Sequence, residues 1–486
     1  MRSVVQVQVV LRITGALSGF FSFTMLPPLL ISWFYHDGAH VPFLIAFVLI
    51  LLAGLALWFP FRHANRELRV RDGFLVVALF WVILGLTGAV PFTLSKNPHM
   101  SVTDAVFESI SGLTTTGATV ISGLDHLPPS ILYYRQQLQW LGGMGIVVLA
   151  VAVLRLLRVG GMQLYRAETP GPMKDSKLTP RIAETAKALW GVYLGLTILC
   201  GLSYWAAGMS PFDALGHAFS TIAIGGFSTH DQSIGFFHNP VIELIATLFM
   251  LIAGINFALH FEILRHHRPG IYRLDSEVRA YLGLLSILVL LLCGYLWWQV
   301  EMKPVEAIRQ GLFQTVSFMT TTGFTSTDYT GWPPFAQVLL ILGAFIGGCA
   351  GSTAGGIKVI RVVLLYKQGV REILRLIHPQ AEIPVKVGRI PVPPRVVEAV
   401  WGFFSLYVVS FAVIMVLMMA AGLDQVTAFA AVAATLNNLG PGLGEVAAGF
   451  MTMPDTVKWL AGFAMLLGRL EIFTLLVLLA PAYWKS

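Results

Sequence analysis

Charge is scarce in this sequence: of 486 residues only 12% are Asp, Glu, Lys or Arg, about half the ~25% usual for soluble globular domains. With 56% apolar residues and a mean hydropathy of +0.74 spread from end to end, a soluble protein is excluded, and so is a disordered one. A polytopic membrane protein is expected. Cysteine is nearly absent. Cys200, Cys293 and Cys349 lie in apolar segments without metal-ligand spacing, so no disulfide framework or zinc site is expected and each reads as a small buried residue. Neither His-Glu-x-x-His nor Gly-x-Ser-x-Gly occurs, which removes the usual signatures of an intramembrane enzyme. His217 and His260 read as packed or vestibule residues.

Acids are fewer than bases, 25 against 32, and the position of the bases decides what the excess means. They gather in segment 62–72 (Arg62, Arg66, Arg69, Arg71) and in segment 155–187 (Arg155, Arg158, Arg166, Lys174, Lys177, Arg181, Lys187). Arg265, Arg268, Arg273 and Arg279 follow, then the run from Lys358 through Arg371 and Arg375 to Arg395, whereas the alternate loops hold little beyond Lys96, Lys303 and Lys458. By the positive-inside rule the basic segments are cytoplasmic, both termini are inside, and no nucleic acid is expected as a partner.

Apolar stretches fall near 14–34, 41–61, 73–92, 131–154, 188–208, 240–264, 280–300, 335–357, 396–421 and 457–482, each long enough for the ~20 residues a span requires. The first is too long for a cleaved signal and reads as a permanent helix. After the first two helices a unit of helix, short half-apolar segment, Gly-bearing loop and helix recurs four times. The short segments, 104–117, 213–226, 310–323 and 427–440, align without gaps on their last Gly, with Ser111, Ser220, Ser317 and Ala434 six residues earlier. Their helical part, ten or eleven residues, reaches half a membrane at ~1.5 Å per residue. The expected fold is therefore an all-α membrane protein with four helix–pore-helix–helix repeats around a pseudo-fourfold pore, plus two N-terminal transmembrane helices. The divisions are 1–68 for the extension and 69–160, 181–268, 276–375 and 394–486 for the repeats.

Non-helical backbone at membrane depth is tolerated only where protein buries it or where it lines water. Half-helices that end near the midplane point the negative ends of their dipoles at that centre, which favours a cation. The loops can turn main-chain carbonyls inward to replace an ion's hydration shell. The candidate filter residues are Thr115, Thr116 and Gly117; Ile224, Gly225 and Gly226; Thr321, Thr322 and Gly323; and Asn438, Leu439 and Gly440. A single such loop would read better as close helix packing; four in register favour an ion filter. Asp104 and Asp213, at half-helix starts, read as caps.

Arg469 lies inside the last apolar stretch, where a charge costs at least ~2.5–3.5 kcal/mol. It reads as an electrostatic barrier in the pore below the filter, with a structural ion pair as the alternative. Glu471, about 200° further around a continuous helix, cannot be its partner and needs another. Five glycines crowd the stretch 347–358, where a helix should break. Gly347, Gly348, Gly351, Ser352, Thr353, Gly355, Gly356 and Lys358, together with Arg469, form a candidate gate, the two hydroxyls serving freed backbone groups. A phosphate-binding loop is excluded because Ile357 separates Gly356 from Lys358.

These residues resemble the Trk/Ktr/HKT superfamily of potassium transporters, and within it the TrkH branch, over nearly the whole chain. The stretches that carry the resemblance are 114–119, 139–145, 220–229 and 436–444, with 347–356 similar to the family's intramembrane gating loop and Arg469 similar to its pore arginine. The resemblance implies K+ as the transported ion, selected over sodium because all four varying filter positions are Gly. It also implies a homodimer with one pore per protomer, a cytoplasmic ring of nucleotide-binding TrkA-type regulatory subunits, a bacterial inner-membrane location and no bound cofactor. Met319, before the third filter loop, stands where the family varies, and no change of selectivity is expected from it. Channel-like conduction is the leading expectation. A proton- or sodium-coupled symporter is the alternative, with Glu471 as the main titratable candidate.

Overall fold

The computed structural model describes residues 6–64, 70–156, 182–388 and 390–484. Arg66 and Arg69 of the first basic segment, and Arg158, Arg166, Lys174, Lys177 and Arg181 of the second, lie outside the described residues. The protein is an all-α membrane protein. Among the described residues six helices are long and apolar enough to cross a bilayer: Val7–Tyr35, His40–Phe61, Arg71–Leu94, Ala186–Ala206, Ser276–Gln299 and Pro394–Ala420. The first two pack backbone to backbone through small residues, as membrane helices commonly do: a methyl group added at Gly54 would lie 2.6 Å from the Gly19 nitrogen.

Three of the expected spans are broken. The stretch 335–357 breaks as its glycines predict, stopping with helix Pro334–Ile346 and resuming at Val359–Ile377. The other two breaks correct the expectation of continuous spans. Helices Pro240–Ala253 and Phe257–His266 meet at 92°, and Asp455–Arg469 and Phe473–Leu479 at 115°. At the first bend Asn256 caps the new helix, accepting from the Ala258 N–H at 2.8 Å, and the Phe257 N–H finds the Gly351 carbonyl at 3.0 Å. Freed backbone groups are thus paired inside protein, the condition for a broken helix in lipid. At the second, Glu471 and Ile472 take φ of 54° and 60°, and the Phe473 N–H reaches the Glu471 carbonyl at 2.6 Å. That is a γ-turn centred on a β-branched residue, a strained arrangement.

Four short helices stand among the long ones: Val102–Leu113, Pro211–Ile222, Pro304–Met319 and Gln425–Leu436. Three have 12 residues and the third 16, longer than the expected ten or eleven. Their N-termini correct the assignment of Asp104 and Asp213 as caps. Ser101 and Ser210 are the caps, accepting from the Asp104 and Asp213 N–H groups at 3.1 and 3.0 Å. The two aspartates are third helical residues that take the serine hydroxyl hydrogen at 2.9 and 2.7 Å, so each serine hydroxyl both accepts from and donates to the same aspartate. Lys458 is not a loop residue either: it is buried in helix Asp455–Arg469, with Nζ 2.6 Å from Asp104.

Candidate functional site: four loops and the segment beneath them

Each short helix ends in the same backbone path. Thr115, Ile224, Thr321 and Asn438 have φ of 52°, 54°, 64° and 54°, and two residues later Gly117, Gly226, Gly323 and Gly440 have φ of 81°, 80°, 80° and 96°. Between them, the N–H groups of Thr116, Gly225, Thr322 and Leu439 return to the carbonyls of Ser111, Ser220, Ser317 and Ala434 at 2.9, 2.8, 2.8 and 2.8 Å. Those acceptors are the four residues that align in the sequence six positions before the Gly. What they share is therefore a main-chain role, which is why Ala434 serves as well as Ser.

The loops close on one another in order. A methyl group added at Gly117 would lie 2.0 Å from the Gly225 carbonyl oxygen; at Gly226, 2.0 Å from that of Thr322; at Gly323, 2.2 Å from that of Leu439; at Gly440, 2.6 Å from that of Thr116. Real side-chain carbons do not approach so near, so each Gly is required both by its positive φ and by the neighbouring carbonyl. The contacts run from first to second, second to third, third to fourth and fourth back to first, so all twelve candidate filter residues are brought into one ring. Within it, hydroxyl pairs brace two loops, Thr114 with Thr116 at 2.7 Å and Thr320 with Thr322 at 2.8 Å. The fourth is tied to the first by the Asn438 amide, which donates to Thr116 Oγ1 at 3.0 Å. Such a ring offers main-chain oxygens to a dehydrated cation, with four helix C-termini aimed at it.

The glycine-rich segment 347–358 lies directly against the helix side of this ring. Its Gly355 N–H donates to Thr321 Oγ1 at 2.7 Å, its Gly356 N–H to the Asn437 carbonyl at 3.1 Å, and Thr353 Oγ1 to the Ile222 carbonyl at 2.9 Å. Three of the four repeats are thereby touched. Gly347, Gly351, Gly356 and Lys358 all take positive φ, and a methyl at Gly355 would meet the Asn437 oxygen at 2.0 Å. Ser352 Oγ donates to the Cys349 carbonyl at 2.6 Å, and Gly348 packs its α-carbon toward Ala354. The segment is held from outside as well. Arg469 donates from Nη1 to the Thr353 carbonyl at 3.1 Å and from Nη2 to Gly142 at 3.4 Å, and Glu277 accepts the Ala350 N–H at 2.6 Å; within the segment itself the Lys358 ammonium donates to the Ala354 carbonyl. The partner Glu471 needed is Arg361, at 2.5 Å, and the same guanidinium lies 3.8 Å over the Phe403 ring.

Sequence reasoning missed the buried pair Arg135–Glu108. Arg135 Nε meets Glu108 Oε1 at 2.7 Å, with both side chains essentially inaccessible to solvent. Glu108 also accepts from Thr119 Oγ1 and the Val120 N–H at 3.0 Å, and Arg135 donates to the Ser228 carbonyl at 3.1 Å. Together they fasten the exits of the first and second loops of the ring. No local signal marks this pair, since 27 residues separate its members. His217 and His260 are packed as expected, His217 against Ser228 Oγ at 2.8 Å and His260 against the Tyr272 hydroxyl at 2.6 Å.

Comparison with known proteins accords with this geometry. The chain is 56% identical over 485 residues, 99% of its length and 100% of the relative's, to the Trk system potassium uptake protein TrkH of Vibrio parahaemolyticus. It is 54% identical to the TrkH of Escherichia coli K12, across 98% of this chain and 99% of that one. It also superposes on the crystal structure of the potassium transporter TrkH from Vibrio parahaemolyticus with a TM-score of 0.91 at 54% identity, covering 99% of this chain and 100% of that one. The sequence model of the TrkH family, described as a cation transport protein, matches residues 39–486, a range that takes in all four loops and the segment beneath them. By sequence, by superposition and by the repeated loop geometry, the chain belongs to the TrkH family of cation transport proteins.

Proposed function

We propose that this chain is the potassium-translocating membrane subunit of a Trk-type uptake system, conducting K+ through the four-loop filter with the segment 347–358 as its gate. The closed cycle of glycine-to-carbonyl contacts carries the reading, because it supports a single axial set of main-chain oxygens contributed equally by four repeats. Those repeats are read as 69–160, 181–268, 276–375 and 394–486, after an extension at 1–68. The relatives named above as potassium uptake proteins supply the ion. The gate reading rests on the hydrogen bonds from Gly355, Gly356 and Thr353 to three repeats, and Arg469 is its anchor. Conduction is favoured over proton coupling because Glu471, the titratable candidate for coupling, is committed to Arg361.

By the same resemblance the protein works in the bacterial inner membrane with both termini cytoplasmic, as a homodimer docked on a nucleotide-binding TrkA-type ring. Helix Val359–Ile377, which leaves the gate segment and carries Lys367, Arg371 and Arg375, is a direct mechanical route from such a partner. Rubidium uptake into a host lacking its own potassium uptake, comparing wild type with Gly226→Ser and Gly323→Ser, tests the filter. Both variants are expected to lose discrimination against sodium; unchanged discrimination in both would overturn the filter.

A further inference from the structure

The second filter loop lacks a brace that the first and third possess. In those loops the residue before the Gly, Thr116 or Thr322, is tied by its hydroxyl to a Thr two positions earlier. The corresponding residues of the second loop are Gly225 and Ala223, which have no hydroxyl. Gly225 is not among the positive-φ residues, so conformation does not explain why it is Gly. Its surroundings do: a methyl group there would lie 2.3 Å from Gln139 Cδ and 2.4 Å from its Oε1.

Gln139 comes from helix Pro129–Leu156, which belongs to the first repeat, and its amide fills the place of the absent side chain. Nε2 donates to the Gly225 carbonyl at 2.6 Å, and Oε1 accepts the Phe227 N–H at 3.0 Å. The two bonds straddle Gly226 and fix the peptide planes on both sides of it. The carbonyl so held is the one that packs against Gly117 in the ring. Gln139 is fully buried, with both polar atoms engaged. Gln136, one turn earlier, extends the support by donating to the Phe227 carbonyl at 3.2 Å.

We propose that Gln139 is a selectivity-determining positioning residue: it replaces, from a neighbouring repeat, the threonine brace that the second filter loop lacks, and holds the Gly225 carbonyl at a distance that suits potassium. A carbonyl freed of that amide can tilt inward and close on a smaller ion, so removing the amide should improve sodium passage relative to potassium. The inference rests on the filter reading above.

The test is the ratio of potassium to sodium flux in proteoliposomes, a quantity independent of how much protein is inserted. Gln139→Met keeps the volume and removes both bonds; Gly225→Ala leaves Gln139 in place but drives its amide off by steric contact. Both are expected to lower the ratio by roughly five- to tenfold, the scale of one lost hydrogen bond. A wild-type ratio in either variant would overturn the inference. Should Gln139→Met fail to fold, Gly225→Ala decides alone. Gly323→Ser, in another loop, is run in parallel. If it changes the ratio while the Gln139 and Gly225 variants do not, only the role of Gln139 falls; if none of the three changes it, the filter reading falls with it.

Discussion

Replacing Arg469 with Ala should open the pathway, and the size of the effect follows from its contacts. The guanidinium is buried and makes two hydrogen bonds, to Thr353 at 3.1 Å and Gly142 at 3.4 Å. The second is long enough to be weak, which leaves the bond to Thr353 as the one from this guanidinium that ties the segment 347–358 to helix Asp455–Arg469. A hydrogen bond from a charged donor contributes about 1.5–3 kcal/mol, so the seated arrangement loses about that much against any displaced one. In population terms the shift is roughly 10- to 150-fold. Removing a positive charge from beneath the filter lowers the barrier to a cation in the same direction. Arg469→Lys separates the two effects: it keeps the charge but lacks the planar fork that reaches Thr353 and Gly142 together. Rubidium flux into proteoliposomes holding only this chain is the assay. Arg469→Ala should raise flux by an order of magnitude or more and Arg469→Lys by less. Flux unchanged in Arg469→Ala, in protein that remains monodisperse, would refute both the latch and the barrier.

Two further predictions concern the mouth of the site. Glu108→Ala should destabilise the protein by about 3–5 kcal/mol, because it leaves the Arg135 charge buried without its partner; the double variant Glu108→Leu/Arg135→Met should recover most of that loss in a detergent melting assay, and a double variant no better than the single would contradict the ion-pair account. In the loops beyond the ring His230 lies 2.5 Å from Asp125 and 3.5 Å from Asp213, stacked on Phe236, with His217 and Asp231 nearby. Partial burial lowers its imidazole, but the bonds and charges of Asp213 and Asp125 outweigh that and hold it above the ordinary 6.5. Its contribution to stability is therefore complete below 6.5 and is lost as pH rises through the raised value. Protection factors of the amides in residues 123–126 and 228–232, that is, exchange rates relative to the intrinsic base-catalysed rate, should fall across that alkaline window in wild type and show no such step in His230→Gln.

The ring of four loops was legible because four copies share one spacing; Thr-Thr-Gly alone would have passed for helix packing. The break in 335–357 was legible for a related reason, since five glycines in twelve residues cannot hold a straight helix. The break at 470–472 was not, because Leu470, Glu471 and Ile472 contain neither Gly nor Pro and nothing local forbids a helix. Its cause is tertiary: Glu471 is drawn to Arg361, 110 residues away, and the backbone takes a strained turn there. The cap error was different in kind. Ser-x-x-Asp occurs at 101–104 and at 210–213, so the signal was present, and the acid was read in place of the hydroxyl that precedes it.

The four loops reach one backbone geometry by unlike means: paired hydroxyls in the first and third, an amide borrowed from the first repeat in the second, and in the fourth an Asn437 that accepts from the Tyr407 hydroxyl at 2.7 Å. If the side chains themselves formed the ion site, such divergence would break the fourfold match. It does not: Thr115, Ile224, Thr321 and Asn438, two threonines beside an aliphatic and an amide side chain, hold φ within 52° to 64°. Three of the four are β-branched, and such a residue in the left-handed region costs about 1–3 kcal/mol and persists only where its surroundings over-determine it. The strain is borne in loops whose carbonyls each pack against the Gly of a neighbouring loop, an arrangement common to all four. The demand on this sequence is thus for a direction of carbonyls, and any residue that can be held to it, by whatever neighbour, serves.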